Sequence, residues 1–132
     1  MNINPISVLL IDDNIDDNYF HNIILEESNI VSDVKTADDG FHALAYLRSI
    51  NKFPDLIFLD ANMPKMNGWE FIEEYKRLSS EVNLNSIIIM LTTSLNPLDK
   101  KRALSTPGLS GFETKPLTPG MLDRIVHKFF FS

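Results

Sequence analysis

The sequence contains no cysteine, which excludes disulfide bonds and thiolate metal sites. It also lacks a long apolar run, since its longest runs have the length of a strand and a membrane span needs about 20 residues. The N-terminus has neither the basic region nor the long apolar core of a signal peptide. These absences predict a soluble protein of the cytoplasm that has no membrane partner.

Positive charge is scarce as well, because 12 lysines and arginines stand against 18 aspartates and glutamates and the net charge is −6. Binding to a nucleic-acid backbone relies on clustered basic side chains. The one compact basic patch, at residues 100–102, is expected to be a solvated helix face. The composition therefore argues against a nucleic-acid partner.

The 132 residues alternate between short apolar runs and amphipathic segments. Continuous apolar runs are typical of parallel strands that are covered on both faces. Runs of this kind, two of them weaker, lie at residues 6–11, 31–36, 56–59, 87–91 and 111–114. Apolar residues three and four positions apart predict helices at residues 19–27, 43–47, 71–78, 98–104 and 121–129. Strands and helices in this alternation imply one α/β domain with a doubly wound parallel sheet.

Carboxylates directly follow two of the apolar runs. Asp12 and Asp13 come directly after the first run, and Asp60 comes directly after the third. In open α/β sheets the carboxyl ends of the strands form the edge at which ligands bind. Two like charges about 4 Å apart repel by about 4 kcal/mol at an effective dielectric constant of about 20. The sequence therefore predicts a site for a hard cation at this edge.

With these motifs, residues 8–129 resemble the receiver domains of two-component response regulators. The residues that carry the resemblance are Asp12, Asp13, Asp60, Asn62, Met63, Pro64, Gly68, Thr92, Lys115 and Pro116. Each signal alone is weak. Their order, and the position of each beside a strand end, make the resemblance specific.

The resemblance implies a flavodoxin-like fold, with strand order 2-1-3-4-5 and five helices, and it implies a function. Asp60 would be the phosphoacceptor, and a histidine kinase or a histidine phosphotransfer protein would be the donor. Mg²⁺, or Mn²⁺ in its place, is the implied cofactor, and oxygen ligands suit such an ion. By the same resemblance, Asp13, Asp60 and the backbone carbonyl of Asn62 bind the metal directly, and Asp12 acts through water.

Other residues of the resemblance act on the phosphoryl group or respond to it. The Lys115 ammonium and the Thr92 hydroxyl are expected to bind its oxygens, and a cis peptide bond before Pro116 is expected to direct the lysine into the site. Phe112 takes the place of the switch aromatic, although it lacks the hydroxyl of the tyrosine that is frequent there. The implied output is a protein contact through the face of the fourth helix, fifth strand and fifth helix.

Several residues also have ordinary structural roles open to them. Asp13 is a candidate cap of the first helix. Thr93 is an alternative to Thr92 as the threonine whose hydroxyl binds a phosphoryl oxygen. Trp69 is expected to pack in the first turn of the third helix, and residues 129–131 to dock on the sheet. The histidines have no spacing typical of a metal site and are expected at the surface or in the core.

The leading prediction is a single receiver domain over residues 1–132, without an output domain, which catalyses only its own phosphorylation and dephosphorylation. A receiver fragment of a larger hybrid kinase would have the same sequence. The enzymatic alternative is a Mg²⁺-dependent phosphohydrolase with an aspartyl-phosphate intermediate, but such enzymes usually carry an acid where this chain has Asn62. A flavin or nucleotide module would need a phosphate-binding loop after the first strand, where this chain has acids.

Overall fold

The computed structural model describes residues 4–82 and 85–131, and within them five strands alternate with five helices. The strands are β1 (Ile6–Ile11), β2 (Val31–Ala37), β3 (Leu56–Leu59), β4 (Ile87–Thr92) and β5 (Gly111–Thr114). The helices are α1 (Ile15–Glu27), α2 (Gly40–Ser49), α3 (Gly68–Val82), α4 (Pro97–Leu104) and α5 (Pro119–Phe130). Every predicted element is therefore present, and the bounds differ mainly at the helix starts.

The strands form one parallel sheet in the order β2-β1-β3-β4-β5. This order confirms the predicted flavodoxin-like fold. In the register of the sheet, Leu59 of β3 lies between Ile11 of β1 and Met90 of β4. The chain segments that follow β1 and β3 therefore leave the sheet side by side, and these segments begin with Asp12 and Asp60.

Polar side chains at the helix starts accept hydrogen bonds from backbone N–H groups that have no partner within the helix. Asn14 caps α1 by accepting from the N–H of Asp17, at 3.0 Å. The alternative that Asp13 caps this helix is therefore wrong. Asn96 caps α4 in the same way, and the proline that follows it occupies the first helical turn.

Apolar side chains cover both faces of the sheet. One face packs against α2 and α3 through a cluster that contains Leu44, Ile57 and Phe71. The other face packs against α1 and α5 through a cluster that contains Leu25 and Ile125. Residues 129–131 lie against this second cluster, as predicted. Since both faces are covered at the middle of the sheet, β1, β3 and β4 are largely continuous apolar runs.

Helix α4 is the most weakly buried helix of the described residues, and Ala103 is its one buried side chain there. Its basic residues are exposed, as predicted for a solvated face. The Arg102 guanidinium lies over the ring of Trp69, 4.3 Å from the ring centroid, and so links α4 to the first turn of α3. None of the helices described combines the length and the apolar character that crossing a membrane requires.

Candidate functional site

Three carboxylates meet at the carboxyl edge of the sheet. Each of Asp12, Asp13 and Asp60 places an oxygen within 4.8 Å of an oxygen of the other two. Asp12 and Asp60 are buried, whereas Asp13 is exposed. The sheet order explains this meeting, because the neighbouring strands β1 and β3 end at the same level. The predicted cluster of acids is thus present in the structure.

The backbone and the first helix hold the two buried acids in place. The Asp60 N–H donates to the Ile11 carbonyl at 2.9 Å, which extends the pairing of β3 with β1 by one residue. The Asn14 N–H donates to Asp12 Oδ1 at 3.0 Å, and Asn18 Nδ2 donates to the Asp12 carbonyl at 2.9 Å. The start of α1 therefore fixes Asp12 through both its side chain and its backbone.

The loop after Asp60 returns tightly to the start of α3. The Gly68 N–H donates to the Ala61 carbonyl at 2.9 Å. A Cβ at Gly68 would lie 2.6 Å from the carbonyl oxygen of Asp60 and 3.0 Å from the Cα of Ala61. Glycine is therefore required here by the close approach of the helix to the backbone of Asp60 and Ala61. Asn62, whose backbone carbonyl is a predicted metal ligand, has an exposed side chain in this loop.

Lys115 reaches the acids from the end of β5. Its backbone N–H donates to the Thr92 carbonyl at 2.9 Å, and its peptide bond with Pro116 is cis, as the resemblance implies. Its Nζ lies 2.5 Å from Asp12 Oδ2, 2.8 Å from Asp17 Oδ2 and 3.7 Å from Asp60 Oδ1. The structure therefore brings the predicted lysine to the predicted acids, together with Asp17, which sequence reasoning missed.

The surroundings of Asp60 disfavour its charged form. Burial, with the charges of Asp12 and Asp13 adding to it, raises the pKa of Asp60 to about 6, although the Lys115 ammonium and a hydrogen bond from Asn62 act in the opposite direction. Burial lowers the pKa of Lys115, but the hydrogen bonds to Asp12 and Asp17 and the charge of Asp60 outweigh burial and raise it. Lys115 is therefore a cation at neutral pH.

The two threonines at the end of β4 lie in different environments. Thr92 is fully buried, and its Oγ1 accepts from the Ser94 N–H at 3.3 Å, whereas Thr93 is exposed. The two threonines thus differ in burial, and the role of Thr92 in the site stays a prediction. Phe112 of β5 pairs in register with Met90 of β4 and packs, partly buried, against the apolar cluster on the α2–α3 face.

The donor set at this edge fits a hard cation. It consists of carboxylate oxygens, two of them from buried side chains, with no sulfur or imidazole ligand among them. Mg²⁺ prefers such oxygen ligands and is commonly held by one or two carboxylates, with waters completing its shell. The exposed Asp13 leaves one side of the cluster open to solvent, which such waters require.

The histidines occupy the kinds of position that the sequence predicts. His21 of α1 is buried, and its Nε2 accepts from the Leu117 N–H at 3.2 Å. His42 and His127 are exposed, and His42 lies beside Asp38 and Asp39. Asp17 and His21 are four residues apart on α1, so helical spacing alone places them on one face.

Comparison with known proteins gives a consistent result. Residues 8–127 match the family model described as response regulator receiver domain. Two-component response regulator 24 of Arabidopsis thaliana is 36% identical over 126 residues, which cover 96% of this chain and 85% of that protein. Hybrid signal transduction histidine kinase C of Dictyostelium discoideum is 30% identical over 129 residues, but these are only 10% of the kinase.

Solved structures share the fold over nearly the whole chain. A two-component response regulator from Cytophaga hutchinsonii has a TM-score of 0.86 and 30% identity, and the match covers 98% of each chain. The chemotaxis response regulator CheY4 of Vibrio cholerae has a TM-score of 0.77 and 31% identity, covering 96% of this chain and 99% of that one.

Proposed function

Because the chain belongs to the family of response regulator receiver domains, we propose that it is a phosphorylation switch in which Asp60 accepts the phosphoryl group. Receiver domains of two-component systems are phospho-accepting regulators rather than classical enzymes, and they interact with histidine kinases or phosphotransfer proteins. One observation carries the assignment to Asp60: this buried carboxylate lies between two further acids and the Lys115 ammonium.

The chemistry of the proposed step is nucleophilic. A carboxylate oxygen of Asp60 forms a bond to phosphorus while the bond from phosphorus to the donor's imidazole nitrogen breaks, and that nitrogen keeps the electron pair. With a pKa of about 6, Asp60 is mostly ionised at neutral pH and is available as a nucleophile. Its burial limits the access of competing water.

Lys115 and Thr92 are the proposed ligands of the phosphoryl oxygens. The Lys115 Nζ is already 3.7 Å from Asp60 Oδ1, so it is close to any group attached to that carboxylate. Thr92 presents a buried hydroxyl at the end of the neighbouring strand. Phosphoryl transfer depends mainly on positioning and on stabilising charge around these oxygens, and both side chains suit that task.

Receiver domains generally bind Mg²⁺ at an acidic pocket, and we assign this role here to the carboxylates of Asp13 and Asp60 and the backbone carbonyl of Asn62. Asp12 would act through water, and Mn²⁺ would be an acceptable substitute. When bound, the ion supplies positive charge that offsets the repulsion among the acids and the incoming phosphoryl group.

We further propose that Phe112 reports the state of Thr92 by packing, and that output is a protein contact at the face of α4, β5 and α5. Support comes from α4, which is weakly buried and carries Leu98 and Leu104, 70% and 74% exposed. Leu95, just before α4, is 83% exposed. A partner protein that covers α4 would bury these exposed apolar side chains.

The alternative of a phosphohydrolase has weaker support, because Asn62 offers an amide where such enzymes carry an acid that exchanges protons. The absence of an output domain and the cytoplasmic location stay predictions. The chain spans most of the Arabidopsis regulator but about a tenth of the Dictyostelium kinase.

The test of the proposed function is the intact mass after incubation with phosphoramidate and Mg²⁺. We expect the wild type to gain one phosphoryl group, and Asp60→Asn to gain none, because the amide cannot act as the nucleophile. Asp33→Asn is the matched control, because it makes the same substitution at an exposed residue of the edge strand β2. Equal phosphorylation of the Asp60 variant would show that another residue is the acceptor.

A further inference from the structure

Helix α1 contacts the segment around Lys115 at two points. Asp17 Oδ2 accepts a hydrogen bond from Lys115 Nζ at 2.8 Å, and one turn later His21 Nε2 accepts from the Leu117 N–H at 3.2 Å. Lys115 is 9% exposed at its side chain and Asp17 is 34% exposed. The β5–α5 connection is therefore tied to the inner face of α1 on both sides of Pro116.

The contact with Asp17 competes with the proposed role of Lys115. An ammonium has three N–H donors, and in the described part of the chain Lys115 forms ion pairs with Asp12, Asp17 and Asp60. The distances to Asp12 and Asp17, 2.5 Å and 2.8 Å, are shorter than the 3.7 Å to Asp60. The lysine is therefore held more closely by α1 and Asp12 than by the proposed phosphoacceptor.

We propose that Asp17 is a positioning residue that holds Lys115 in the unphosphorylated state and opposes its transfer to a phosphoryl group on Asp60. The inference rests on the proposed function. Asp17 would not touch the phosphoryl group; it acts through the lysine. Phosphorylation has to draw the ammonium from the Asp17 carboxylate to the phosphoryl oxygens on Asp60. The strength of the Asp17–Lys115 pair therefore sets part of the balance between the two states.

The neighbouring Asp16 provides a control that separates the effect of losing a negative charge from the effect of losing the contact with Lys115. Asp16 and Asp17 both lie in the first turn of α1, where acids interact favourably with the helix dipole. Asp16 is exposed, and the ion pairs of Lys115 in the described residues do not include it. Asp16→Asn therefore removes the same charge from the same turn and leaves the contact with the lysine intact.

The experiment measures the affinity for beryllofluoride, an analogue of the phosphoryl group, in the presence of Mg²⁺. We expect Asp17→Asn to bind it about fivefold more tightly than the wild type, as the loss of a partly exposed ion pair allows. Asp16→Asn should differ little from the wild type, and Asp17→Glu should restore wild-type affinity because it restores the carboxylate. In ¹⁵N NMR spectra, the Lys115 ammonium should exchange its hydrogens faster in Asp17→Asn than in Asp16→Asn.

The outcomes distinguish the two proposals. If the wild type binds beryllofluoride, and Asp17→Asn binds it no more tightly than Asp16→Asn, the role of Asp17 is refuted and the proposed function stands. The same conclusion follows if Asp17→Glu behaves like Asp17→Asn. If the wild type does not bind beryllofluoride at all, the proposed function fails and the role of Asp17 fails with it.

Discussion

Asp60 lies in surroundings that stabilise its neutral form, although its proposed role requires the charged form. Burial is the main cause, and the neighbouring acids add to it. A chain selected only for stability would place an amide or an apolar group at such a position. The free energy that folding spends on this buried charge is therefore a cost of function.

That cost can be measured through the pH dependence of unfolding in EDTA. The pKa of Asp60 rises from 3.8 to about 6 on folding, so between these values the folded state binds more protons and stability falls as the pH rises. Asp60→Asn removes this loss and should stabilise the protein by about 2 to 3 kcal/mol at pH 7.5. The advantage over the wild type should shrink toward pH 4. A constant difference from pH 4 to pH 7.5 would contradict the prediction.

At the scale of the elements, the close approach of α3 to the Asp60 loop depends on one missing side chain. Gly68→Ala would place a Cβ 2.6 Å from the Asp60 carbonyl oxygen. This oxygen and the Ala61 Cα, the two atoms that the new Cβ would meet first, belong to the backbone. The contact can therefore be relieved only if the helix or the loop moves. We expect the free energy of unfolding in denaturant to fall by about 1 to 3 kcal/mol.

Gly120→Ala is the matched control for this substitution. A Cβ at Gly120, in the first turn of α5, meets no atom within 4 Å. The change should therefore alter the free energy of unfolding by less than about 1 kcal/mol, in the stabilising direction. Equal effects of the two substitutions would show that the loop and α3 are not tightly packed.

The sequence was sufficient to predict all ten elements along the chain, because the helices carry a local apolar periodicity and the strands an apolar run, weaker in β2 and β5. The order of the strands in the sheet was implied by the resemblance. The start of α1 was missed by four residues, since the prediction began at residue 19 and the helix begins at Ile15. Its first turn contains two acids, the exposed Ile15 and the buried but polar Asn18, so no apolar pattern marks it. Its signal is instead the cap residue Asn14.

The site divides in the same way into local and long-range features. The meeting of Asp12, Asp13 and Asp60 was predictable, because parallel strands end at a common edge. The contact of Asp17 with Lys115 joins residues 98 positions apart. No local sequence pattern indicates which face of α1 contacts the β5–α5 connection. That information lies in the packing of the whole helix.

At the scale of the molecule, the acids follow the neighbouring strands β1 and β3, so an ion that binds them joins two strands inside the sheet and should stabilise the entire fold. Mg²⁺ at ten times its dissociation constant should contribute about 1.4 kcal/mol, which raises the midpoint of thermal unfolding by about 5 °C. The measurement is a thermal melt with and without the ion.

Asp13→Asn should reduce that increase, because it removes a proposed ligand. Asp33→Asn should keep it, since Asp33 is exposed on the edge strand. An undiminished increase in the Asp13 variant would place the ion elsewhere.

The contact between Arg102 and Trp69 gives the protein an optical property. The chain has one tryptophan, and a guanidinium lies 4.3 Å from the centroid of its ring. The emission of an indole responds to a nearby charge, so the fluorescence of the unlabelled protein reports on the separation of α4 from α3. A displacement of α4 would change the wavelength or the intensity of the tryptophan emission, and no attached dye would be needed.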